Sequence, residues 1–177
     1  APTVFGDIRL IKLSKPLNYT QYIQPICLAD TDTKFASSYW STHAVVAGFG
    51  DDNIESKVLR FAPLKLFDDD ECLKRTIAAM EAHISAPSSL FTWPDNLMCG
   101  EVVNAKVHAG DNGGPLMALG RDGLWYQRGV AALFIDNEKK TIEKNAPPSF
   151  ARVASYCAWI EKETKGDVKC VNDKWKE

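Results

Sequence analysis

The 177-residue sequence has no apolar run approaching the ~20 residues a membrane helix needs, so no membrane-inserted segment is expected. It has little charge of one sign: 21 basic and 23 acidic side chains leave −2 at neutral pH. That balance supplies no basic field to draw in nucleic acid or an anionic membrane surface. Histidine is scarce, with three residues, and no two of the five cysteines form a Cys-x-x-Cys pair. A zinc site has little to stand on, and no metal or cofactor is expected. Internal repeats and low-complexity segments are missing too. The opening Ala-Pro-Thr-Val-Phe-Gly-Asp has no basic n-region and no apolar h-region. It reads as an internal segment or a mature chain rather than a nascent secretory start.

What is present is an ordinary globular composition, 45% hydrophobic and 25% charged, in a length that suits one domain. The cysteines are Cys27, Cys72, Cys99, Cys157 and Cys170. Disulfides in an oxidising compartment are the favoured reading, and the odd number leaves at least one thiol free or paired outside the chain. Spacing alone does not choose among the possible pairings. A glycosylation triplet, Asn18-Tyr19-Thr20, points the same way, to a secreted protein.

Along the chain, short strand-like runs are expected at residues 7–13, 44–49 and 59–67, the last broken by Pro63. Further short strands are expected at 96–99, 115–119, 125–134 and 149–153. Asp68, Asp69 and Asp70 precede a helical stretch to about Ala82, as acidic groups suit a helix N-terminus. Val153, Tyr156, Cys157 and Ile160 keep helical spacing, Lys162 and Lys165 follow, and Gly166 stops the helix. Many short strands and only two helices argue for an all-β barrel or sandwich.

The stretch most suited to chemistry is Gly110-Asp111-Asn112-Gly113-Gly114-Pro115-Leu116. Glycines around a polar residue permit a tight turn that exposes its side chain and converges backbone amides, the geometry of an oxyanion hole. Taken alone, the heptapeptide serves equally as a hairpin turn.

This segment resembles the Gly-Asp-Ser-Gly-Gly-Pro-Leu nucleophile loop of the trypsin/chymotrypsin-like serine proteases (peptidase S1), with Asn112 where the serine should be. Asp7-Ile8-Arg9-Leu10-Ile11-Lys12-Leu13 is similar to the family block that opens with the catalytic acid, and Tyr22-Ile23-Gln24-Pro25-Ile26-Cys27-Leu28 to the link between its two barrels. Gly48-Phe49-Gly50 stands for Gly-Trp-Gly, Asn96-Leu97-Met98-Cys99 for the strand before the specificity pocket, and Ser149 to Ile160 for the closing strand and terminal helix. The resemblance implies an all-β, trypsin-like double Greek-key barrel with a C-terminal helix and an incomplete first barrel. It divides one domain into a first-barrel remnant at 1–28, a linker at 29–43, a second barrel at 44–153, a helix at 154–166 and a tail at 167–177.

The departures from the family decide the expected function. Its chemistry needs a serine hydroxyl, a histidine base and an aspartate that orients the histidine. Asp7 holds the acid position, but Asn112 is a poor nucleophile, because its amide nitrogen is delocalised into the carbonyl. The family's Ala-Ala-His-Cys segment does not occur in the sequence, and His43, His83 and His108 read as ordinary surface or loop residues. Gly110 and Asn112 retain the oxyanion-hole positions. By resemblance, Lys106 sits at the base of the specificity pocket, and Ala132, Leu133 and Phe134 replace the substrate strand, with Phe134 crowding the pocket mouth. Cys72–Cys99 matches a family bridge, Cys157–Cys170 is expected to staple the tail onto the terminal helix, and Cys27 is left to tether an N-terminal chain or protein partner. Asp111 occupies the position that pairs with the amine created by activation cleavage. Its expected state is either paired with a terminus supplied by another chain or exposed on a disordered loop. The expected function is a secreted, catalytically inactive protease homologue that binds or regulates other proteins. The alternatives are a serine endopeptidase whose sequence here is incomplete or altered, and a fragment without function.

Overall fold

The computed structural model describes residues 7–30, 44–50, 58–81, 92–105, 107, 109–120, 122–133 and 147–172. Among these residues seven strands run in the order β1 (Cys27–Leu28), β2 (Ala44–Gly48), β3 (Arg60–Leu66), β4 (Leu97–Val102), β5 (Pro115–Leu119), β6 (Trp125–Leu133) and β7 (Ser149–Arg152). Spatially they lie as β1-β6-β5-β2-β3-β4-β7, and β6 also pairs with β7, which closes the last six into a barrel. Every pairing within the barrel is antiparallel. Closure leaves these six strands no open edge for another chain to extend.

Inside, Leu64, Leu66, Met98, Leu116, Ala131 and Phe150 form one buried cluster with Ala44. The sequence order of these strands follows the short apolar runs, and the limits agree within a few residues. One expectation fails: Pro63 does not break β3. It pairs with Val45 in the β2 ladder, and its carbonyl accepts from Val103 N–H at 2.9 Å. The N–H and C=O of a strand residue point to the same side, so the missing proline donor faces β4. The β3–β4 ladder runs only from Leu64 onward, so no ladder bond is lost.

Helix α1 (Asp69–Glu81) follows β3 directly. Asp68 caps it, its Oδ1 accepting from Glu71 N–H at 2.7 Å, and acidic residues fill the first turn, where the helix dipole favours them. The Cys72–Cys99 disulfide bolts the helix to β4, and the cysteines pack with Phe67 and Trp93. Arg152, at the end of β7, has only 8% of its side chain exposed. Its guanidinium donates to Leu97 O from Nε at 3.1 Å and from Nη2 at 2.6 Å, and Nη2 also donates to Asp69 Oδ1 at 2.6 Å. One arginine thus ties β7, β4 and the start of α1 together. A short 3-10 turn at Val153–Tyr156 leads into helix α2 (Cys157–Glu163), and Gly166 takes a positive φ of 87° just beyond it.

The segment 7–26 departs from expectation. Residues 7–13 form no regular element and join no ladder, and the segment's one backbone pairing is an isolated bridge between Thr20 and Ile23. Ile11 is 79% exposed and Tyr22 87%, with Leu10, Leu13, Leu17 and Tyr19 also in solvent. A strand exists only through a partner, and none of the described residues offers one here. The chain becomes anchored at Cys27 and Leu28, which run parallel to Tyr126 and Gln127 of β6. The tail returns to the same place: Val171 N–H donates to Leu28 O at 2.8 Å, and Asp30 N–H to Val171 O at 3.2 Å. The Cys157–Cys170 disulfide holds that tail against α2.

Candidate functional site

The candidate site is the connection from β4 into β5. It ends in a 3-10 turn at Ala109–Asp111, followed by Asn112, Gly113 and Gly114. Two backbone bonds fasten this turn to β6: Gly113 N–H donates to Ala131 O, and Ala131 N–H donates to Gly114 O, each at 2.8 Å. Gly114 N–H closes the turn onto Asp111 O at 2.9 Å. Gly113 has a φ of 82°, a conformation that costs glycine little and any side chain more. Asn112 stands exposed at the head of this turn, and Gly110 is exposed beside it.

Asp111 turns inward instead. Its Oδ1 accepts from Gly50 N–H at 2.8 Å, a contact across 61 residues. A Cβ added to Gly48 would collide with the same carboxylate, so the glycine leaves the space that Asp111 fills. Asp111 is half-buried, and the N–H that reaches it comes from just beyond the end of β2. In the sequence, Gly48-Phe49-Gly50 is one block of the family resemblance, and its residue types name no partner for Asp111. The signal that could have found the contact is the pair of glycines bracketing one residue at a strand end, which marks a close approach.

Behind the turn lies a cavity of about 350 Å3. Val46, Phe61, Val102, Val107 and Phe150 give it apolar walls, and Asp111 gives it a carboxylate. Phe61 is 77% exposed, and Phe49, Val58 and Leu59 also reach solvent around that end of β2 and β3.

The remaining sequence-derived residues are spread over the molecule. Asp7 is exposed at the start of the unpaired segment, and Asn18 is exposed farther along it. Ala132 is buried in β6, and Leu133 ends that strand opposite Ser149. Lys106, Phe134, His43, His83 and His108 lie outside the described residues. Cys27 carries a free, half-buried thiol opposite Tyr126. Tyr126 is buried and donates its hydroxyl to Asp122 Oδ2 at 2.6 Å. That bond, with burial, pushes the phenol up to about 12, and the same bond, with the Leu124 N–H that Asp122 also accepts, holds the Asp122 carboxyl below its usual range. Among the described residues no group of histidine, cysteine and carboxylate side chains is arranged to hold a metal. No described helix is long and apolar enough to cross a membrane.

Comparison with known proteins agrees with this architecture. The family model described as Trypsin matches residues 1–160. The "CLIP domain-containing serine protease B9" of Anopheles gambiae is 31% identical over 163 residues, which cover 90% of this chain and 36% of the mosquito protein. "Serine protease 41" of Homo sapiens is 27% identical over 162 residues, covering 89% of this chain and 47% of the human one. Among solved structures, a scabies mite inactivated protease paralogue, S-I1, superposes with a TM-score of 0.60 at 25% identity, covering 87% of this chain and 58% of that one. The chain thus spans less than half the length of these two curated relatives. With the family match over residues 1–160, the closed six-strand barrel and the terminal helix in place, the chain belongs to the trypsin family and is a trypsin-like serine protease homologue.

Proposed function

We propose that this homologue is catalytically inactive and works as a secreted protein-binding or regulatory module. The observation that carries the reading is Asn112, an amide at the head of a turn whose other parts match the family's nucleophile loop. An asparagine side chain has no ionisable hydroxyl for a base to activate, so acyl transfer has no attacking group there. Gly110 and Asn112 keep the oxyanion-hole positions and Asp7 the acid position, but these groups only assist a nucleophile. Lys106 and Phe134 in pocket positions add an altered substrate mouth. The scabies mite neighbour, described as an inactivated protease paralogue, is a precedent for a trypsin-like scaffold that has lost its chemistry.

The partner in this reading is a protein segment that covers the exposed apolar residues of 7–26, with Cys27 as a disulfide tether. Asp111, on the wall of the cavity behind the turn, takes the activation salt-bridge position, whose partner in this reading is a chain-terminal ammonium. Two disulfides within the chain and the Asn18 triplet favour an extracellular protein. Purified protein incubated with a peptide library should give no cleavage above a buffer control. Cleavage that a serine-directed covalent inhibitor abolishes would instead support the endopeptidase reading.

A further inference from the structure

The replacement of the nucleophile creates a dipeptide with chemistry of its own. In Asn-Gly sequences the glycine nitrogen, on losing its proton, attacks the preceding side-chain carbonyl carbon. A C–N bond forms, ammonia leaves and a cyclic imide results. Water then opens the imide at either carbonyl to give aspartate or isoaspartate. No oxidant or cofactor is required, and glycine makes the attack easy because no side chain shields its nitrogen.

Asn112 and Gly113 meet two of the requirements. Asn112 is exposed, and nothing lies within 4 Å of the position a Cβ would take on Gly113. The third requirement is withheld, because Gly113 N–H donates to Ala131 O at 2.8 Å. Losing that proton means losing the bond, and the reciprocal bond from Ala131 N–H to Gly114 O keeps the turn from swinging toward the asparagine carbonyl. The turn is also held from its other side, where Asp111 is clasped by Gly50 N–H over the space left by Gly48.

We propose that Asn112–Gly113 is a self-modification site that the native nucleophile turn keeps closed, and that release of the Asp111 clasp opens it. The modification is one-way. An isoaspartate adds a methylene to the backbone between residues 112 and 113, so Gly113 can no longer meet Ala131 in register. Either product also puts a second carboxylate next to Asp111. A turn that has once opened long enough to react stays marked and loosened. The site therefore records excursions of the loop that in this protein carries an amide where its family carries the nucleophile.

The test follows the unit mass increase at Asn112. Digestion at Lys106 and Arg121 releases residues 107–121 as one peptide containing the site. The folded protein and the same protein in concentrated urea are held side by side at mildly alkaline pH, and the deamidated fraction is followed over time. Native deamidation is expected to be about tenfold slower or more, because reaction must wait for local opening. Gly48→Ala pushes the clasp aside sterically, and Asp111→Asn weakens it without adding heavy atoms, with fragmentation of the peptide assigning the mass increase to residue 112 rather than 111. Each rate is divided by that variant's own rate in urea, which removes neighbouring-residue effects, and circular dichroism reports whether the variant is folded. A folded variant is expected to recover about threefold or more of the suppressed rate. A wild-type native rate within about twofold of the urea rate overturns the closed site. An unchanged ratio in either variant that remains folded overturns the clasp. Should Gly48→Ala fail to fold, Asp111→Asn decides the second point.

Discussion

Removing the Cys72–Cys99 bridge should be among the most costly changes to this fold. The two cysteines are 27 residues apart in sequence and both are fully buried, between α1 and β4. Opening a loop of that length returns about 3.5 kcal/mol of chain entropy to the unfolded state at room temperature. Replacing both residues by alanine also leaves a small void beside Phe67 and Trp93, worth roughly 1 kcal/mol more. For a chain of this size a kilocalorie moves the melting midpoint by roughly 2–4 °C, so the Cys72→Ala/Cys99→Ala double variant should melt on the order of 10 °C lower or more. Urea titration followed by tryptophan fluorescence gives the free energy and calorimetry the midpoint. A loss below about 1 kcal/mol would refute the reasoning, because the bridge would then be constraining a segment that is already tied elsewhere.

Four further outcomes are expected. Breaking Cys157–Cys170, which closes 13 residues, should fray the tail and raise hydrogen exchange at Asp30 and Val171 while moving the global midpoint less than the first bridge does. Asp69→Ala should cost about 1 kcal/mol, because Asp69 is 53% exposed and water screens the pair, whereas Arg152→Met should cost about 2–3 kcal/mol by removing both guanidinium bonds to Leu97 O and leaving that carbonyl only the Trp93 Nε1–H bond at 3.2 Å; the reverse order in urea titrations would contradict the geometry. Absorbance titration should show one tyrosine ionising only near pH 12, and Asp122→Asn should bring it back toward the usual value of about 10. The bond behind this raised value lends stability that is complete from above the usual aspartate range up to about pH 10; it is lost as the pH rises through about 12, and also in acid as the Asp122 carboxylate protonates. Finally, the intact mass of the native protein should fall on reduction as a second chain leaves Cys27; a mass unchanged apart from the protons gained by internal disulfides would remove the tether from the proposal.

Elements that satisfy themselves locally were legible in the sequence. The run Pro115–Leu119 reads as a strand and forms one between those limits, and the aspartates before α1 read as a cap and supply it. Relations that depend on a distant partner were not. Residues 7–13 have a strand's composition, yet strand formation is a property of pairs, and no partner for them lies among the described residues. Cys27–Leu28 has the converse character: two residues carry no periodicity, and only the parallel match with β6 and the return of Val171 make a strand of them. At the candidate site the motif located Asn112 and Asp111. It could not show that Asp111 is held by Gly50, because that contact spans 61 residues and is made by a backbone N–H, which leaves no mark on residue identity beyond the glycines that make room for it.

The central claim is that a trypsin-like scaffold here carries no working nucleophile. A fluorophosphonate probe forms a covalent adduct only with a serine that its neighbours have activated, so intact mass after treatment of the purified protein reads the claim directly. No adduct is expected on this chain, and none on the peptide spanning residues 107–121. A stoichiometric adduct on any residue of this chain would contradict it.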